Sequence, residues 1–252
     1  MSALTRPAPA LVGCRIVVAE VPRPVRPESV DAETLLRALA AIGSEVVRLT
    51  PLREDHPIPA GTKRTAYRIA SGQVDAVLFP AAEGVPGWLS TVERLEMLDA
   101  VRDRALASRL LLATADATAT ARLAESGLPA STACGPTAGG LAETVAAHFI
   151  HTAPERRTDV GRVAVRSGGV LIDGAFLPLS RGAVSLVEAL FVADGRVLSR
   201  AEIGHVLPGG RRSPRAVEVA VARLRESLGD LDLVQTVVKR GYRLAVTDER
   251  AG

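Results

Sequence analysis

The chain has 252 residues, 47% of them hydrophobic, with no low-complexity tract, which excludes a disordered protein and allows one large domain or two ordinary ones. Its longer apolar stretches, such as Ala183–Ala193 and Leu110–Ala115, are too short to span a bilayer, and Met1–Val12 offers no continuous apolar core for a secretory signal. The net charge of +3 is unevenly shared: from Gly161 onward 14 basic and 10 acidic residues leave +4, and the rest of the chain stands near −1. A basic C-terminal part beside a neutral N-terminal part fits a nucleic-acid-binding module joined to something else. Cys14 and Cys134 have no CxxC spacing and His56, His148, His151 and His205 form no HxxH or HxH pair, so no metal site, cofactor or disulfide framework is expected.

Along the chain, strand and helix patterns alternate. Arg15–Ala19 is an apolar strand, followed by a turn rich in proline at Pro22, Pro24 and Pro27. Ser29–Ile42 has a helical stripe of Leu35, Leu36, Leu39 and Ile42, with Gly43 as its stop. Glu45–Leu49 is a second strand, Pro51–Pro59 an extended connector, Thr62–Ser71 a helix and Asp75–Phe79 a third strand. Val85–Leu106 reads as helix in more than one piece, with Trp88 as packing. Arg109–Ala113 is a fourth strand, Thr118–Ser126 a helix, Ala130–Cys134 a short fifth strand and Thr137–His148 a closing helix. Such alternation over short loops predicts an α/β domain, residues 12–150, with a parallel sheet covered on both faces.

Residues 151–160, with Pro154 and a run of charges, read as a linker. Beyond them the pattern changes. Val163–Arg166 and Val170–Ile172 flank Ser167-Gly-Gly169 as a hairpin, and Asp173-Gly174 marks another turn. Ser180 caps a helix over Arg181–Ala193. Ser199, with Glu202 three residues on, forms a capping box for a short second helix ending near His205–Leu207. Ser213 caps a third, with Pro214 at its first position, where a missing N–H costs nothing.

At 100° per residue, Val217, Val221, Leu224 and Leu228 form one stripe of this third helix. The opposite arc holds Arg215, Val219, Ala222 and Glu226, flanked by Arg223. Small apolar side chains between arginines suit a DNA major groove, where they meet thymine methyls while arginines reach phosphates or guanine edges. Leu233–Leu244 then reads as two strands, with Lys239, Arg240 and Arg243 clustered at the tip for phosphate or minor-groove contact.

Leu177–Ser180, Gly195–Ile203, Ser213–Gly229 and Thr236–Leu244 resemble, in order, the OmpR/PhoB-type effector domain of response regulators. The resemblance covers about Gly161–Val246. It implies a winged helix-turn-helix at 161–247, a recognition helix at Pro214–Leu228 and a wing at Leu233–Val246. It also implies a loop at Leu207–Ser213 of the kind that can touch RNA polymerase. The DNA-binding set is then Arg211, Arg212, Ser213, Arg215, Val219, Ala222, Arg223, Lys239, Arg240 and Arg243. Val238-Lys239-Arg240 departs from the family's Arg-Gly-Val before Gly-Tyr. Response regulators usually carry a receiver domain with an acidic pair after the first strand and an Asp ending the third. Here those strands end Ala19-Glu20-Val21 and Phe79-Pro80-Ala81, which speaks against a phosphorylation switch.

Gly13–Val18, Leu35–Val47, Gly72–Phe79 and Glu125–Pro129 resemble instead the later half of uroporphyrinogen-III synthase, which implies a flavodoxin-like lobe over about Val12–Phe149. The family's site residues are replaced by Leu52, Pro80-Ala81 and Asp116-Ala117-Thr118, and a carboxylate at 116 would repel its polyanionic substrate. The expected protein is therefore not an enzyme. It is a cytoplasmic, sequence-specific transcription regulator bound to double-stranded DNA, with no membrane contact. Its synthase-like domain would sense a small-molecule effector or form a homodimer. The alternatives are a tetrapyrrole synthase with a DNA-binding appendage, and a winged helix that docks another protein.

Overall fold

The computed structural model describes residues 9–20, 30–50, 56–133 and 135–247. Pro9–Ala153 forms one compact unit, and the described residues from Pro154 onward form another.

The first unit is a doubly wound α/β domain. Strands β1 (Arg15–Ala19), β2 (Glu45–Leu49), β3 (Ala76–Phe79), β4 (Leu111–Thr114) and β5 (Ser131–Thr132) form a parallel sheet in the order β2-β1-β3-β4-β5. This is the flavodoxin-like strand order. The central strands are apolar except for Arg15 at the start of β1 and Thr114 at the end of β4, because helices cover both faces. Ile16, Val18 and Leu78 meet α1 (Ala32–Ala41) and α6 (Ala138–His151). Val17, Ala19, Val77 and Phe79 meet α2 (Ala60–Ala70), α3 (Gly84–Arg94), α4 (Leu98–Leu106) and α5 (Ala117–Glu125). Trp88 is core, 1% exposed and edge-on to Phe79 at 5.2 Å.

The second unit opens with an antiparallel sheet, β6 (Arg156–Thr158), β7 (Gly161–Arg166), β8 (Gly169–Ile172) and β9 (Ala175–Pro178), paired in that order. Helices α7 (Arg181–Ala193), α8 (Arg200–Val206) and α9 (Pro214–Leu228) follow, then a hairpin of β10 (Val234–Val237) and β11 (Gly241–Leu244). The helix starts are locally encoded. Ser180, Ser199 and Ser213 accept hydrogen bonds from the amides of Ala183, Glu202 and Ala216. Leu186, Leu190, Phe191, Ile203, Val217, Val221, Leu224, Tyr242 and Leu244 close one core.

Several expectations change. The stretch read as a linker is largely ordered structure: α6 runs through His151, and β6 is the edge of the second unit's sheet. Arg156 lies 5.0 Å over the Phe191 ring and 2.6 Å from Asp194, so charge that looked solvated is packed. Strand β9, in the stretch ahead of the Ser180 cap, pairs with β8. Helix α1 starts at Ala32, capped by Asp31, rather than at Ser29. Pro22, Pro24, Pro27, Ser29, the 51–55 part of the connector with Leu52, and Cys134 lie outside the described residues.

The wing is pinned to the residue before the α8 cap. Leu198 and Tyr242 exchange backbone hydrogen bonds of 2.8 and 2.9 Å. Gly241 has φ +145°, and a Cβ there would lie 1.9 Å from the Leu198 carbonyl oxygen. Gly241→Ala is expected to lower stability of the second unit by roughly 2–4 kcal/mol, the sum of overpacking and backbone strain. Chemical denaturation followed by circular dichroism would measure it, and an unchanged midpoint would refute the close approach.

Candidate nucleic-acid interface

Helix α9 presents two faces. Val217, Val221, Leu224 and Leu228 are buried in the core, whereas Arg215, Val219, Ala222, Arg223 and Glu226 are exposed. Val219 keeps 44% of its surface in solvent. An isolated solvent-facing valine gains nothing from that position; between two arginines it offers a methyl surface to a base edge. The helix has 15 residues, roughly 22 Å at 1.5 Å per residue, and is of a diameter that a major groove admits.

The turn before it is held by backbone contact. The Arg212 amide donates to Gly204 O at 2.9 Å, and a Cβ on Gly204 would stand 2.7 Å from Arg212 O. The loop therefore packs directly on α8, which fixes where α9 begins. Ser213 caps α9, its Oγ accepting from Ala216 N at 3.3 Å while its O–H remains able to donate.

The ten candidate residues divide accordingly. Arg215, Val219, Ala222 and Arg223 share the outer face of α9. Arg211 is exposed in the preceding loop. Arg212 is exposed too, but its Nε donates to Pro208 O at 3.0 Å and its Nη2 to the same carbonyl. Lys239 and Arg240 occupy the wing turn beside Val238, which is 78% exposed. Arg243 does not sit at that tip. It lies in β11 opposite Gln235 and donates from Nε to its Oε1 at 3.0 Å, because the turn is complete by Gly241. Among the described residues, no ion pair engages Arg211, Arg215, Arg223, Lys239 or Arg240, so their charge is available to an anionic partner.

Two arginines that the sequence did not single out act as braces. Arg225 on α9 donates from Nε and Nη2 to Val234 O at 3.3 and 2.7 Å, and from Nη2 to Thr236 Oγ1 at 2.9 Å. Arg200 on α8 pairs with Glu218 of α9 at 2.8 Å and stands 5.7 Å over the Tyr242 ring. No spacing rule separates these from DNA-facing arginines; only the position of the wing does.

A basic recognition helix seated on a short helix and flanked by a charged hairpin defines a winged helix-turn-helix of the DNA-binding kind. Residues 174–244, most of the second unit, match the family model for the C-terminal domain of transcriptional regulatory proteins. Similar solved structures include the Escherichia coli CadC DNA-binding domain, 30% identical over 36% of this chain and 94% of that one, with a TM-score of 0.31. The Klebsiella pneumoniae RstA DNA-binding domain in complex with the RstA box is 24% identical, over 36% and 96%, with a TM-score of 0.31. The Thermotoga maritima response regulator DrrB, an OmpR/PhoB homologue, is 15% identical, over 92% and 99%, with a TM-score of 0.33. No curated protein matches the chain. Among the described residues no helix is long and apolar enough to cross a membrane, and no cluster of His, Cys, Asp or Glu could hold a metal ion.

The start of α8 carries a pH signature. The Glu202 carboxyl is held down to about 2, first by the Ser199 backbone N–H and then by the Arg196 guanidinium. Its folded value lies below the ordinary 4.5, so the stabilisation is complete above pH 4.5 and is lost as pH falls toward 2. Glu202→Gln should flatten that part of the stability curve and lower stability at neutral pH. Thermal melts from pH 2 to 7 would show it; parallel curves for both proteins would contradict the capping geometry.

Proposed function

We propose that the protein is a sequence-specific transcription regulator that inserts α9 into a major groove and lays its wing on the adjacent backbone or minor groove. The observation that carries this is the outer face of α9, where Val219 and Ala222 lie between Arg215 and Arg223, none of them committed to the fold. The family match over residues 174–244 supports it. On this reading the base-reading set is Arg215, Val219, Ala222 and Arg223. Arg211, Ser213, Lys239, Arg240 and Arg243 serve phosphates, with Arg212 divided between loop and DNA.

The α/β domain at about 12–150 is proposed as a ligand-sensing or dimerising module of synthase-like descent. Its flavodoxin-like order supports a ligand role, since such sheets take ligands outside the carboxyl ends of their strands at the switch between β1 and β3. Catalysis is not part of the proposal. Ala81 is buried, and Asp116 caps α5 by accepting from Ala119 N at 2.9 Å, so neither replaces the lost synthase groups. Purified protein should leave hydroxymethylbilane unconverted to the type III isomer.

Selection of genomic DNA fragments by the full-length protein at physiological salt tests the main reading, with a shared enriched motif as the expected result. Lys239→Gly with Arg240→Ala should weaken all sequences about tenfold or more through lost phosphate contacts. Lys239 has φ +61°, so glycine there relaxes the backbone and the fold should hold. Val219→Ala and Ala222→Ser should instead change the preferred sequence. Equal weakening of every sequence by both sets would overturn the helix assignment.

A further inference from the structure

An open groove of about 700 Å³ runs between the first turn of α7 and the outer face of α9. Arg181 and Gly182 form one wall, Arg215, Val219 and Arg223 the other, with Arg212 and the 207–208 loop between them. Four guanidinium groups line it and no carboxylate does. Arg212 is turned onto the Pro208 carbonyl, and no ion pair or hydrogen bond engages the guanidinium groups of Arg181, Arg215 or Arg223 among the described residues. Three uncommitted like charges around one depression repel one another in the free protein and favour an occupant of high negative charge.

We propose that this groove holds the sugar-phosphate backbone of one DNA strand and that Arg181 makes a phosphate contact there. The inference rests on the reading of α9 as the recognition helix, because one wall is shared: Arg215 and Arg223 belong to both the groove and the base-reading face. A helix lying in a major groove has the two bordering strands along its flanks. On the α7 flank the strand meets Arg181, which is exposed and reaches out from the first turn with no acidic residue beside it in that turn. Arg181 lies outside the stretch from α8 to the wing tip that helix-turn-helix reasoning points to. Its role is sequence-independent: it adds affinity and fixes register without reading a base.

The test uses full-length protein, a selected target duplex and a scrambled duplex, titrated over a range of salt. Arg181→Ala should weaken both duplexes by the same factor, about three- to tenfold. It should also reduce the slope of log affinity against log salt by about 0.9, one phosphate contact. Arg181→Lys should recover most of the slope, and all three proteins should melt alike because the side chain is exposed. Unchanged affinity and slope in Arg181→Ala, with wild-type binding intact, would overturn the assignment and leave the regulator reading standing. So would an altered ratio between the two duplexes, since that means base readout. Failure of the wild-type protein to bind either duplex in low salt would remove both readings together.

Discussion

Leu198 and Tyr242 exchange a pair of backbone hydrogen bonds, and the wing reaches them only because residue 241 has no side chain. This junction sets the wing against the start of the helix-turn-helix. Ser199, the next residue, caps α8; Arg200, one further on, pairs with Glu218 of α9 and covers the Tyr242 ring. The start of the helix-turn-helix and the base of the wing thus share one anchor. At the far end of α9, Arg225 grips Val234 and Thr236. Helix α9 is braced to the wing near both of its ends, so on the proposed reading the two elements would meet DNA as a preset pair with little ordering left to do on binding.

This bracing explains the division of labour among the arginines. An exposed ion pair is worth at most about 1 kcal/mol, so Arg200 matters less for stability than for the angle it imposes, while Arg225 holds the wing through hydrogen bonds to the Val234 carbonyl and the Thr236 hydroxyl. In the second unit, the arginines and the lysine that make no ion pair among the described residues include those on the outer arc of α9, in the loop at Arg211 and at the tip of the wing. Cations left unpaired there suit phosphates, whose contacts account for the salt dependence of DNA binding.

How far the sequence could disclose this depends on range. Helix starts were legible because capping is local: Ser180, Ser199 with Glu202, and Ser213 with Pro214 each stand within three residues of the amides they serve. The buried stripe of α9 was legible because period 3.6 alone sets it. The central strands of the parallel sheet were legible as uninterrupted apolar runs. Strand β6 was hidden, since Arg156 and Arg157 look solvated until Phe191, far along the chain, supplies a ring to lie on. Arg243 and Arg225 were misjudged or passed over for the same reason. Whether an arginine faces DNA, braces a strand or pairs across a hairpin depends on partners that no short window contains.

The same distinction bears on the first unit. A switch by phosphoryl transfer to a carboxylate needs an acid at the carboxyl end of β3, and Pro80 and Ala81 follow that strand here, both buried. Asp116 at the end of β4 has the right chemistry but a different task. Its Oδ1 accepts from Ala119 N, and its carbonyl accepts from the Thr114 hydroxyl, which in turn joins Thr120 and Thr132 in a chain of short hydroxyl contacts. That edge of the sheet is closed by capping and hydroxyl bonding, which stabilises the fold and commits Asp116 Oδ1 to the start of α5. On the proposed reading, control of DNA binding through this domain would rest on non-covalent events, ligand binding or self-association, whose free energy acts by favouring one arrangement of the chain over another.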